Sequence, residues 1–296
     1  MKKSKSYLPC VILSVLMVFT LIGTSAAFTF QHFMNYDYAV TICKQHQLDS
    51  KVNQSLQKYF DDKVNTTGIP SDIYMKSISN QWIDDTMKLS LKSGFDFLTN
   101  KNTDSYNFNP DFSAVDSSLD SFFSDYAEKN GYQKDSVFEN KLDSAKQNAH
   151  QAIKDYTDIL KFNTLYSEGV LKSVRTYTLL ATSPILSIAI LACLAILFAL
   201  TLLFCRKNKI FTLYWIATSI LVSSAIILIP CIYLKATNYF DSFVIKQEQI
   251  FIAFTSYMYS AVNFLITLQI ILSAAAVIML AICTIFSKSK KSTANV

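Results

Sequence analysis

Across 296 residues the chain has only five glycines, five prolines and three histidines. So few breakers exclude a turn-rich sandwich or barrel, and apolar–polar alternation with a period of two is nearly absent, which points to helices. The histidines, His32, His46 and His150, stand far apart, and none forms an i,i+4 pair with another His or with Cys. That leaves no zinc-type ligand spacing. G-x-S-x-G, H-E-x-x-H, a phosphate-cradling glycine loop and the calcium-loop pattern are missing. The acidic pairs Asp61-Asp62 and Asp84-Asp85 point in different directions on a helix and read as solubilising groups. No serine stands out as a nucleophile, because none can be paired with a base from sequence. The expectation is no enzyme, no metal and no cofactor.

Charge is also absent where it matters most. Tyr7–Phe30, Tyr177–Phe204, Phe211–Leu234 and Tyr257–Phe286 hold no Asp, Glu, Lys, Arg or His. Each is long enough to cross a hydrocarbon core of ~30 Å, which takes ~20 helical residues. Ionisable groups inside a membrane mark ion and proton pathways, so their lack argues against a coupled transporter.

The charges instead flank these spans. Lys2, Lys3 and Lys5 precede the first; Arg206, Lys207 and Lys209 link the second to the third; Lys288, Lys290 and Lys291 follow the fourth. Segment 31–175 is close to balanced, with 16 basic and 20 acidic residues, and loop 235–256 carries Lys235 and Lys246 against Asp241 and Glu248. Basic residues beside spans stay cytoplasmic. Both termini are therefore expected inside, and 31–175 with 235–256 outside. The net charge of +5 is a topology signal and implies no nucleic acid.

The layout reads as a cytoplasmic tip with span one (1–30), an extracytoplasmic helical domain (31–175), span two (176–205), a cytoplasmic link (206–210) and span three (211–234). A short outer loop (235–256), span four (257–286) and a cytoplasmic tail (287–296) follow. Span one has a rival reading as a cleavable signal peptide, with Lys2–Lys5, an apolar run and the small residues Thr24-Ser25-Ala26-Ala27. Its run is longer than a signal core and is extended by Phe28 and Phe30, which favours an uncleaved anchor. Of six cysteines only Cys43 is clearly outside, with Cys231 near the outer end of span three. They are two unpaired thiols or one bridge, and no disulfide framework.

In the outer segment Leu48, Val52, Leu56, Tyr59 and Phe60 share a helical face up to the breaker Thr66–Pro70. Ser71 opens a second helix with Tyr74, Ile78, Trp82, Met87, Leu91, Phe95 and Leu98. A loop at Thr99–Pro110 leads to a third helix with Phe112, Val115, Leu119, Phe122 and Tyr126. A fourth carries Leu142, Ala145, Ala149, Ala152, Tyr156 and Ile159. No breaker separates Phe30 from Thr66, so helix one is expected to continue span one, and helix four to enter span two. An up-down-up-down, four-helix-bundle-like domain meets these connections. Ala145, Ala149 and Ala152 make a small-residue seam, for a neighbouring helix or for a second copy.

The outer loop carries the stripe Phe240, Phe243, Val244, Gln247, Ile250, Phe251 and Phe254. It is an interfacial amphipathic helix or an outward extension of span four. Within span four, Asn263 and Thr267 share a face and Gln269 is rotated away; they line a pore or hydrogen-bond between helices. Ser183-Pro184 should kink span two.

This plan, with Thr67-Gly68-Ile69-Pro70-Ser71-Asp72-Ile73-Tyr74 opening the second outer helix, resembles uncharacterised four-span membrane proteins of Gram-positive bacteria. The outer part is also similar to chemoreceptor sensor domains, but the inner segment Cys205–Lys209 is far too short for a signalling domain. The expectation is an all-α, multi-pass protein of the cell membrane. Its non-catalytic outer domain binds another envelope protein or itself, as an accessory subunit of a transport, secretion or wall-synthesis complex. The alternatives are a small oligomeric channel or transporter, and a ligand sensor without its own output domain.

Overall fold

The computed structural model describes residues 7–100, 102–205 and 209–293, with 209 and 287–293 as backbone alone. It is 84% helix, and the described residues include no strand, so the all-α class holds. In chain order the helices are α1 (Tyr7–Phe33), α2 (Tyr36–Gln45), α3 (Leu48–Thr67), α4 (Ser71–Met75), α5 (Asn80–Thr99) and α6 (Ser113–Asn130). They continue with α7 (Ser136–Thr157), α8 (Phe162–Ser167), α9 (Val170–Ala181), α10 (Pro184–Phe204), α11 (Lys209–Ala236) and α12 (Glu248–Thr293), with a 3-10 turn at Tyr239–Ser242. Four of these helices are long and apolar enough to cross a membrane: Tyr7–Phe33, Pro184–Phe204, Ile210–Ala236 and Glu248–Phe286. This is the pattern of a multi-pass membrane protein. The flanking Lys2, Lys3, Lys5, Arg206 and Lys207 lie outside the described residues.

The chain divides into two compact units. One comprises Met1–Met34, Leu180–Ser242 and Met258–Val296; the other comprises Asn35–Leu179 and Phe243–Tyr257. In the first, α1 packs on α10 and α11, with Leu13, Met17, Leu197 and Ile216 at the centre. Dispersion and interhelical hydrogen bonds hold such helices in lipid. Here the Ser14 and Ser219 hydroxyls meet at 2.7 Å. At Ser183-Pro184 the chain breaks where a kink was expected. Helix α9 ends at Ala181, Ser183 caps α10, and Pro184 sits at its first turn, where a missing N–H costs nothing.

In the second unit α3, α5 and α7 pack on one another, α6 packs on α4 and α7, and α2 packs on α3 and α5. Residues three and four apart face the core: Leu48, Val52, Leu56 and Phe60 from α3, and Ile83, Met87, Leu91, Phe95 and Leu98 from α5. Leu142, Ala149, Ala152 and Ile153 from α7 join them. Fully burying each large side chain stabilises by ~1.5–3 kcal/mol.

Capping residues cut the long helices read from the sequence. Asn35 takes the Asp37 N–H at 2.8 Å and starts α2, and Gln47 turns the chain in a left-handed conformation (φ 49°) before α3. The stretch from Phe30 to Thr66 is therefore three helices. Likewise Ser79 accepts from the Trp82 N–H at 3.1 Å and separates α4 from α5. Helix α7 stops at Thr157, and α8 and α9 stand between it and α10. Gly68, at φ 71°, ends α3 in the left-handed turn that glycine adopts without strain.

Within loop 235–256 the fourth apolar helix already begins, as a continuation of span four towards the chain's start. Helix α12 begins at Glu248, and its first turns belong to the second unit, where Gln249, Ile250 and Ala253 are buried. Gln247 Nε2 donates to Asp155 Oδ2 at 2.8 Å. This compact unit thus comprises Asn35–Leu179 plus Phe243–Tyr257.

Candidate functional site

The polar residues of the fourth span do not converge. Asn263 is exposed and its Oδ1 accepts from Lys235 Nζ at 2.7 Å. Thr267, also exposed, returns its hydroxyl to the Asn263 carbonyl at 2.9 Å. Gln269 is buried, and its Nε2 donates to Ser25 Oγ of α1 at 3.1 Å. Each finds a partner on its own or an adjacent helix, as polar side chains in membrane bundles do.

Two residues of the alanine seam pack inside the chain. Ala149 and Ala152 are buried in the second unit's core, on a helix packed against α3, α5 and α6. Ala145 is half-buried and borders a groove.

Several titratable side chains of this unit have structural partners. Asp158, 1% exposed, accepts from Ser90 Oγ at 2.8 Å, from the Phe162 N–H at 3.0 Å and from the Asn163 N–H at 2.7 Å. It therefore caps the start of α8 and ties it to α5. Burial is the largest influence on its carboxyl and pushes the pKa up, while these donors and Lys161 pull it down. With its oxygens occupied and no opening to solvent, it is a strut and no general base. Asp116 and Asp120 on α6 meet His150 and Lys146 on α7, each pair at 2.7 Å. The His150 ring stacks on Phe112 at 4.1 Å. Cys43 is buried, and that burial lifts its thiol to about 12, which leaves it unreactive. An S-x-x-K spacing does occur at Ser55–Lys58 on α3, but no hydrogen bond joins the two among the described residues, and Lys58 is exposed. Among the described residues no three His, Cys, Asp or Glu side chains come together.

What the surface does offer is aromatic. On α6 and the turn that follows, Phe122, Tyr126 and Tyr132 form a ladder of rings. Centroids are 6.2 Å apart at 29° between the first two, and 6.0 Å apart at 12° between the last two. Tyr126 is 53% exposed, Tyr132 62% and Val137 57%. Phe123, beside them, meets Phe138 of α7 edge-on at 6.0 Å. A groove of about 660 Å³ lies on one side, lined by Lys76, Ser77, Ser121 and Asp125. Another, of about 720 Å³, lies on the other side between Gly68, Ile69, Asn140, Ser144 and Asn148. Phe122 and Tyr126 line both.

No family model, curated protein or solved structure matches this chain. The reading of the site therefore rests on its own geometry. Three-four spacing places Phe122 and Tyr126 with the core of α6, yet only Val115 and Leu119 of that face are fully buried beside Ala127. The last two turns of α6 lose their cover because α4, its partner on one side, is only five residues long. The nearest sequence signal is the Asn130-Gly131-Tyr132 turn, which returns a further ring to the exposed end.

Proposed function

We propose that the chain is a non-catalytic membrane protein that presents its helical domain outside the cell membrane and docks a partner protein there. The ladder Phe122–Tyr126–Tyr132 is the observation that carries this reading. Rigid aromatic rings bring large contact area with little side-chain freedom to lose, and such groups dominate binding surfaces. The adjoining grooves have room for a partner's apolar or aromatic side chain on either side of Tyr126. Asp158 caps α8, and the pairs Asp116–His150 and Asp120–Lys146 cross-link α6 and α7, which supports a scaffold over an enzyme. The orientation rests on the basic residues flanking the spans, and the partner is accordingly another envelope protein.

A photo-crosslinking phenylalanine analogue in place of Tyr126, irradiated in living cells, tests the docking face. The expected result is a defined adduct with one protein, weakened by Tyr132→Ser and absent when the same probe replaces the exposed Lys92 on α5. Identical adducts from both positions, or none from position 126, overturn it. Orientation is checked separately by an Asn102→Cys variant. A membrane-impermeant maleimide should label it in intact cells, and labelling only after lysis would reverse the topology.

A further inference from the structure

The membrane unit brings two of the six cysteines together. Cys10, in the first turn of α1, and Cys205, the residue that caps α10, are 195 positions apart in sequence, yet their sulfurs stand 3.1 Å apart. Both are buried, at 0% and 5% exposed. Of the others, Cys283 donates to the Ile210 carbonyl, and Cys43, Cys193 and Cys231 are free thiols.

We propose that Cys10 and Cys205 are a redox modification site, joined by a reversible disulfide that pins the start of α1 to the end of α10. The observed separation exceeds the ~2.05 Å bond by only about 1 Å. Cys205 lies just beyond the last helical residue of α10, so its backbone can move that far without breaking the helix. The oxidant is a hydroperoxide, a class small enough to reach a thiol held between helix ends. One sulfur attacks a peroxide oxygen and breaks the O–O bond, giving a sulfenic acid and releasing the alcohol, or water from hydrogen peroxide. The second sulfur attacks the sulfenic sulfur, forms the S–S bond and expels water. The thiols lose two electrons, the peroxide gains them, and both thiol hydrogens leave in the reduced products. A small thiol reverses the bond by exchange.

The site is independent of partner docking. Its test uses the full-length protein in membrane vesicles, treated with graded hydrogen peroxide, capped with a maleimide, digested and analysed by mass spectrometry. The expected product is one peptide pair linking Cys10 to Cys205, lighter than its parts by two hydrogens. It should be lost on reduction and absent from Cys10→Ser and Cys205→Ser. Recovery of both residues as separate maleimide adducts, even at doses that oxidise methionines, overturns the proposal. So does a Cys10–Cys10 bridge between two copies. The wild-type measurement stands whether or not the serine variants fold.

Discussion

Ser90 Oγ donates to Asp158 Oδ1 at 2.8 Å, joining residues 68 positions apart on α5 and in the α7–α8 turn. Both side chains are buried, so removing either leaves polar groups with neither partner nor water. Asp158→Ala should strand the Ser90 hydroxyl and the N–H groups of Phe162 and Asn163. A loss of about 3 kcal/mol is expected, since a hydrogen bond to a charged acceptor contributes ~1.5–3 kcal/mol. Trp82 and Trp215 are the chain's two tryptophans, so a Trp215→Phe background lets Trp82 fluorescence report this unit's melting. An unchanged midpoint would mean the Asp158 cap holds nothing.

The same carboxyl gives the unit a pH dependence of definite sign. Its pKa is raised in the fold, chiefly by burial, above the ~3.9 of a free aspartate. The folded state therefore holds the proton more tightly than the unfolded one. Its contribution is full below the unfolded pKa and is lost as pH rises through the folded one. Wild-type stability, taken relative to Asp158→Ala, should fall as pH climbs through that window. A difference that grows with pH would contradict the assignment.

Gly94 should resist a change that usually helps. Replacing a mid-helix glycine by alanine normally gains ~1 kcal/mol. Here a β-carbon would run into the Phe162 ring, and overpacking of that kind costs ~1–3 kcal/mol. Gly94→Ala is expected to lower the Trp82 melting midpoint, and adding Phe162→Leu should recover part of the loss. Additive losses in the double variant would show that the two positions do not touch.

Cys43 should be silent in the native protein. Buried, with its thiol lifted to about 12, it should stay unmodified by maleimide at neutral pH. It should react within the dead time once the unit is unfolded in denaturant. Fast native labelling would place it at an opening surface.

The sequence makes the long-range plan legible and the joints illegible, for physical reasons. Four long uncharged apolar runs read as helices able to cross a membrane, and the three-four spacing of Leu48, Val52 and Leu56 names the core face of α3. What periodicity cannot report is a break with no glycine or proline at it. Gln47 turns at φ 49° inside a stretch that reads as one helix, and α4 ends at Met75 and Ser79 starts α5 afresh while the apolar pattern runs on. Proline alone was legible at α10, though it signals a kink and a clean start equally well. Asn263, Thr267 and Gln269 were visible as polar residues in an apolar run. Which of them turns inward depended on Ser25, 244 positions away. The aromatic ladder was hidden for the opposite reason, since Phe122 and Tyr126 keep the core spacing after the core has ended.

Residues Phe243–Tyr257 complete the second unit's fold from the far side of two spans. Ala253 and Tyr257 close against Ala39, Ile42, Leu48 and Leu91, positions made some two hundred residues earlier. Domains usually fold as they emerge during synthesis. This one must wait for its last wall until most of the chain has been translated. Until then an unfinished apolar face is on display, and quality control on a stalled or truncated chain has a ready signal to read.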